Sequence, residues 1–220
     1  WAWDFGDSPI PGASAAQNPS YTYLASGPKT VKLAVTSAAG CVSRDTTVSF
    51  SVNLSPVGGF TYQPIRCEDS LITFTDASTP NGAAITEWKW DFGGDGVLTQ
   101  TTPAPATHTF ANSTSYSVSL TVKDANGCSD GTPFVLPVVI NPNPLADFTV
   151  SDICVGSGLA NFTQNVTLAS GQVATWNWDF GVTGSAPGTG ATPSFTFPAG
   201  GEYTVTLTAT SDSGCAHTVP

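Results

Sequence analysis

Residues 90–93 read WDFG, and the same four letters stand at residues 3–6 and 178–181. A further tryptophan lies two places upstream of each, at Trp1, Trp88 and Trp176, so all six tryptophans belong to three copies of one phrase. In EWKWDFG (87–93) alternation puts Trp88, Trp90 and Phe92 on one side and Lys89 and Asp91 on the other, the period of a half-buried strand. Each copy thus brings one aromatic cluster to a central strand, with Trp3, Trp90, Trp178, Phe5, Phe92 and Phe180 as candidate core. A fully buried indole contributes on the order of 4–6 kcal/mol from area alone, enough to organise a small domain.

Other landmarks keep the beat. Cys41, Cys128 and Cys215 each follow a glycine and recur 87 residues apart, as do Cys67 and Cys154, and Val31, Val118 and Val205. SYSVSLTV (115–122) alternates apolar with hydroxyl residues, and EYTVTLTA (202–209) repeats it. DANGC (124–128) carries an Asn-Gly pair suited to a tight hairpin, and FVLPVVI (134–140) reads as the returning strand. With GGFTYQ, SLITFTDA, ITEWKWDFG and ATHTF, the count reaches about seven strands per copy, the pattern of a β-sandwich. Almost no helix is expected.

Only 10% of the 220 residues are charged and the net charge is −10, so no basic patch serves nucleic acid or an anionic membrane. No stretch approaches the roughly 18 apolar residues of a membrane span. The chain begins inside a motif, as a fragment of something longer would. The copies are expected at 1–54, lacking about thirty N-terminal residues, at 55–142, and at 143–220, with the last strand cut short. The linkers NLSPVGG (53–59) and NPNPLAD (141–147) are short and proline-bearing, which predicts a semi-rigid rod.

WDFGDS at Trp3, PATHTF at Pro105, YSVSLTV at Tyr116 and YTVTLTA at Tyr203 resemble the PKD (polycystic kidney disease) domain, an immunoglobulin-like sandwich, over nearly the whole chain. The variety with Gly-Cys after the sixth strand and a second cysteine before the strand carrying Phe-Thr resembles arrays in large surface proteins of gliding bacteria, adhesins included. The resemblance implies all-β tandem sandwiches outside the cell, with neighbouring copies as partners and no catalytic role. Polysaccharide or secretion machinery are further candidate partners. In some relatives an acidic loop helps bind calcium; here that loop reads STPNGA (78–83), leaving Asp91 with Asp76 or Asp95 as a meagre oxygen set for a cation wanting six to eight ligands. The recurring Asp4, Asp91 and Asp179 are read as acceptors of backbone N–H groups at the strand exit. No cofactor is expected.

Five phased cysteines without a Cys-x-x-Cys pair predict disulfides in an oxidising compartment and not zinc. Immunoglobulin topology leaves two pairings open. Within copies, Cys67 would join Cys128 and Cys154 would join Cys215, but these lie at opposite poles of a sandwich while a disulfide needs Cα atoms within about 7 Å. Between copies, Cys67 would join Cys215, sending Cys41, Cys128 and Cys154 to cysteines elsewhere. His108 fills the slot of Tyr21 and Phe195, and His217 stands near the end. No catalytic grouping emerges. Asn-x-Ser/Thr occurs at Asn53, Asn112, Asn161 and Asn165, and DTT and DSL offer Thr46 and Ser70 as O-glycosylation candidates. Three functions follow: an adhesin or filament stalk; a carbohydrate-binding accessory module of a secreted hydrolase, with the outer tryptophans as sugar platform; and a protein-interaction module pairing through an exposed strand edge.

Overall fold

Alternating side chains and frequent turn residues give strands throughout the computed structural model, which describes residues 1–7, 12–151, 153 and 156–220; no helix occurs among them. Hence no described helix is long and apolar enough to cross a membrane. In the first copy, β1 (Ala2–Asp4), β2 (Ala13–Ser14), β3 (Gly27–Ala34) and β4 (Thr46–Val52) form one antiparallel sheet in the order β2-β1-β3-β4. No second sheet covers it among the described residues. Phe50 therefore stays 42% exposed and Trp3 only half-buried, its Nε1 donating to the Ala16 carbonyl at 3.0 Å. A sandwich interior needs two faces, and among the described residues this copy presents one, so Trp3 is half-buried here.

The middle copy has both. Strands β5 (Phe60–Tyr62), β6 (Leu71–Asp76) and β9 (Ala106–Thr109) make a sheet ordered β5-β6-β9. Facing it, β7 (Ile85–Asp91), β8 (Val97–Gln100), β10 (Ser115–Asp124) and β11 (Phe134–Val139) are ordered β11-β10-β7-β8. The register sets Trp90 opposite Leu120 and Trp88 opposite Val122, so the apolar phases of β7 and β10 share one face. Trp90 is 0% exposed, its ring centroid 5.2 Å from Phe60 and 5.9 Å from Phe74 on the other sheet. Phe92 and Phe110 close the same core.

The third copy repeats the plan with β12 (Phe148–Val150), β13 (Leu159–Gln164), β14 (Val173–Asp179), β15 (Gly188–Thr189), β16 (Ser194–Thr196), β17 (Thr206–Ser211) and β18 (Ala216–Val219). Its sheets run β12-β13-β16 and β15-β14-β17-β18, closing over Phe162, Trp178 and Phe180. A seventh strand is thus present: β18 pairs Thr210 with Ala216 through Leu207 with Val219. After both cysteines the chain turns straight back, Ser129 bridging Lys123 as Ala216 pairs with Thr210; the middle copy then departs until β11 begins at Phe134, whereas β18 stays paired to Val219.

Candidate functional site

The repeated phrase ends each central strand in the same turn. The Asp4, Asp91 and Asp179 carboxylates accept the backbone N–H groups of Gly6, Gly93 and Gly181, each at 2.9 Å. Asp76 accepts from Ser78 through Oδ1 and from the Trp88 indole through Oδ2 at 2.8 Å, and Asp95 pairs with His108 Nε2 at 2.9 Å. The three carboxylates raised as calcium ligands thus share no partner: Asp91 serves Gly93, Asp76 serves Ser78 and Trp88, and Asp95 serves His108. No cluster of three or more metal-ligating side chains occurs among the described residues.

Trp88 lies beneath the loop after β6 and is 5% exposed, while Trp176 is half-buried with an indole N–H lacking a partner. Trp1 alone of the outer three is open to solvent. The His108 ring stacks on Phe92 at 4.1 Å, as Phe195 stacks on Phe180 at 4.3 Å and Tyr21 on Phe5 at 4.4 Å. Asp7 forms an ion pair with the ammonium of Lys29 and accepts from Tyr21, and Lys29 holds its carboxyl below the usual carboxylate range. Burial, then Asp7, pushes the Tyr21 phenol up.

A further constellation is the junction between the middle and third copies. Cys67 is bonded to Cys215, with Cα atoms 5.6 Å apart across 148 positions of sequence. The loop before β6 runs beside the linker: Cys67 bridges Asn141 in parallel, and Asn141 N–H donates to the Arg66 carbonyl at 2.8 Å. Asn143 donates its backbone N–H to Glu68 Oε1 at 2.9 Å and its side-chain amide to the Glu68 carbonyl at 3.0 Å. Arg66 Nε donates to the Val139 carbonyl at 2.9 Å. From the third copy, His217 Nδ1 accepts the Ala146 N–H, and Gly214 rests near Ile65.

The Cys67–Cys215 bond sets aside the within-copy pairing of Cys67 with Cys128, and among the described residues Cys41 and Cys128 have no disulfide partner within this chain. Each sits at the hairpin tip that Cys215 occupies in its own copy, and no described loop of this chain brings a cysteine to either tip. Cys154 lies outside the described residues. Thr46 and Ser70 are both exposed, Ser70 on the loop that carries Cys67.

The sequence reading missed what holds each tip. Ser37, Asp124 and Ser211 recur 87 residues apart, and their side chains accept the N–H of Cys41, Cys128 and Cys215 at 3.2, 2.8 and 3.1 Å. The periodic spacing was the available signal, obscured by the change from serine to aspartate. The Asn141, Asn143 and Glu68 brace left no local pattern.

A groove of about 750 Å³ opens in the third copy between Phe148, Phe162, Phe197, Tyr203 and Val205. In the middle copy β11 pairs with 115–120, and in the third β18 pairs with 207–210.

A model of the PKD domain family matches residues 1–52, 53–136 and 141–219. No curated protein matches the chain. Among solved structures, it is similar to the PKD1 domain of Vibrio anguillarum Epp, at 19% identity and a TM-score of 0.34, over 40% of this chain and 96% of that one. It is similar to fibronectin(III)-like modules of Clostridium thermocellum CbhA, at 16% identity and a TM-score of 0.40, over 72% and 88%. A third similarity is to a structure of carbohydrate-binding modules from the beta-sandwich superfamily, at 26% identity and a TM-score of 0.39, over 73% and 56%.

Proposed function

The chain belongs to the PKD domain family, matched three times in tandem, and from that premise we propose that it is a non-catalytic stalk segment of a long secreted or cell-surface adhesin or filament. The copies divide at 1–54, 55–142 and 143–220, and the task is reach, stiffness and resistance to pulling during adhesion or gliding. The observation carrying this reading is the covalent link between Cys67 and Cys215, which fastens one copy to the next. A disulfide of this kind suits an oxidising, extracellular setting. Semi-rigid serial linkage follows from the brace of Arg66, Glu68, Asn141 and Asn143 around the linker. Partners are neighbouring copies of the same fold, with surface polysaccharide or secretion machinery at the ends of the array.

Immunolabelling of intact source cells tests it. An antibody against residues 55–220 should decorate the cell surface, and deleting the array should weaken attachment to a solid support. Antigen found only in the medium, bound to insoluble polysaccharide beside a hydrolase activity, would replace the stalk with an accessory module.

A further inference from the structure

The Cys67–Cys215 bond has a topological effect that depends on connectivity alone. It joins a residue preceding β6 to one following β17, so every strand from β6 to β17 lies inside a single covalent loop. Resting on the stalk reading, we propose that this bond carries end-to-end tension past strands β6 to β17 of the middle and third copies, so that pulling cannot unravel the strands it encloses.

Without the bond, force on the chain ends passes through β5, around the core of the middle copy, along the linker at Asn141 and into the third copy. Each copy then unravels by losing one edge strand after another. With the bond, the taut path runs from Cys67 directly to Cys215. Residues 1–66 and 216–220 remain in line; the first copy, β5 and β18 can be peeled, and the loop between is bypassed.

The surroundings suit that role. The loaded cysteine on the middle copy is 7% exposed and flanked by hydrogen bonds from Glu68 and Asn141 to the neighbouring segment. Its partner is fully buried, and the Ser211 hydroxyl accepts its N–H. Both ends of the bond lie against the linker, the Cys215 sulfur 3.9 Å from the Asn141 carbonyl. Tension transferred there meets three adjoining segments.

The lengths separate the two states. At roughly 3.3–3.6 Å per extended residue, a fully unravelled chain reaches about 750 Å. The 148 positions between the cysteines hold about 500 Å of that. A stapled chain should stop near 250 Å.

Single-molecule stretching of the 220-residue chain, tethered at its ends, reads this directly. Serine replaces Cys41, Cys128 and Cys154 to prevent scrambling. Oxidised molecules should yield a final contour near a third of that reached in dithiothreitol. Cys67→Ser with Cys215→Ser should reach the long contour without reductant. Oxidised molecules that extend as far as reduced ones would overturn the proposal, as would mass spectrometry showing Cys67 and Cys215 unpaired in folded oxidised protein. A capped contour in a protein absent from the cell surface would keep the bypass and overturn the stalk.

Discussion

Gly93 shows why the fourth letter of the phrase does not vary. Its φ is +74°, and a Cβ built there would lie 2.8 Å from the Ser117 amide nitrogen; at Gly181 the nearest atom is the Thr204 carbonyl oxygen at 2.5 Å. Only glycine turns here without strain. Gly93→Ala should cost on the order of 1–3 kcal/mol, read as a lowered urea midpoint. Unchanged stability would mean that the turn relaxes freely. The aromatic letters were legible because period two is a local property. The partner of the Trp88 indole was not, since the ring donates to Asp76 on the opposite sheet. Asp130 provides a test by pH. Its carboxylate approaches the backbone of Gly58 in the first linker, and burial, ahead of the backbone N–H groups, pushes its carboxyl above the ordinary aspartate value. The folded chain therefore holds this proton to higher pH than the unfolded chain does. Stability present below the ordinary value of about 3.9 is lost as pH rises through the raised one. Asp130→Asn should melt higher than the parent at pH 7, with the gap closing toward pH 4. A gap independent of pH would assign the effect to packing.

The cysteine hairpin is the element on which the junction depends. In the middle copy Asp124 Oδ1 accepts the N–H groups of both Asn126 and Cys128, at 2.9 and 2.8 Å, and Asp124 itself is buried. Asp124→Ala removes two acceptor contacts and should cost about 1–3 kcal/mol. Amide exchange at Asn126 and Cys128 should accelerate more than exchange in β7, which an effect spread over the whole copy would not produce. The paired strand pattern and the Asn-Gly turn made this hairpin legible. Its continuation was less so: Ser129 bridges Lys123 as Ala216 pairs with Thr210, but DGTP then leads away to β11 whereas HTV stays paired with β17. Hydrogen bonding to β17 decides the outcome, and the first residues after the turn do not announce it. Likewise the topology left two disulfide pairings open, because the choice turns on how one copy sits against the next.

At the scale of the whole molecule, the three copies differ in how completely they bury the same aromatic phrase. Trp90 and Trp178 are 0% exposed between two sheets, whereas the first copy leaves Val48, Phe50 and Trp1 open. Its stacked Phe5 and Tyr21 and its Asp7–Lys29 pair tie the segment after β1 to Tyr21 and to β3 without supplying a second layer. One sheet offers its backbone edges and apolar face to water, and such a unit falls short of independent stability. Residues 1–54 expressed alone should therefore be cut by thermolysin within the time that leaves 55–220 intact, and should show no cooperative thermal transition. The intact oxidised chain should lose its N-terminal quarter first and leave a resistant core containing both bonded cysteines. If 1–54 resists the protease by itself, the second sheet is dispensable and the account of Trp3 falls with it. If the longer piece is cut as quickly, two closed aromatic cores and the bond between them do not confer the stability that a load-bearing segment requires.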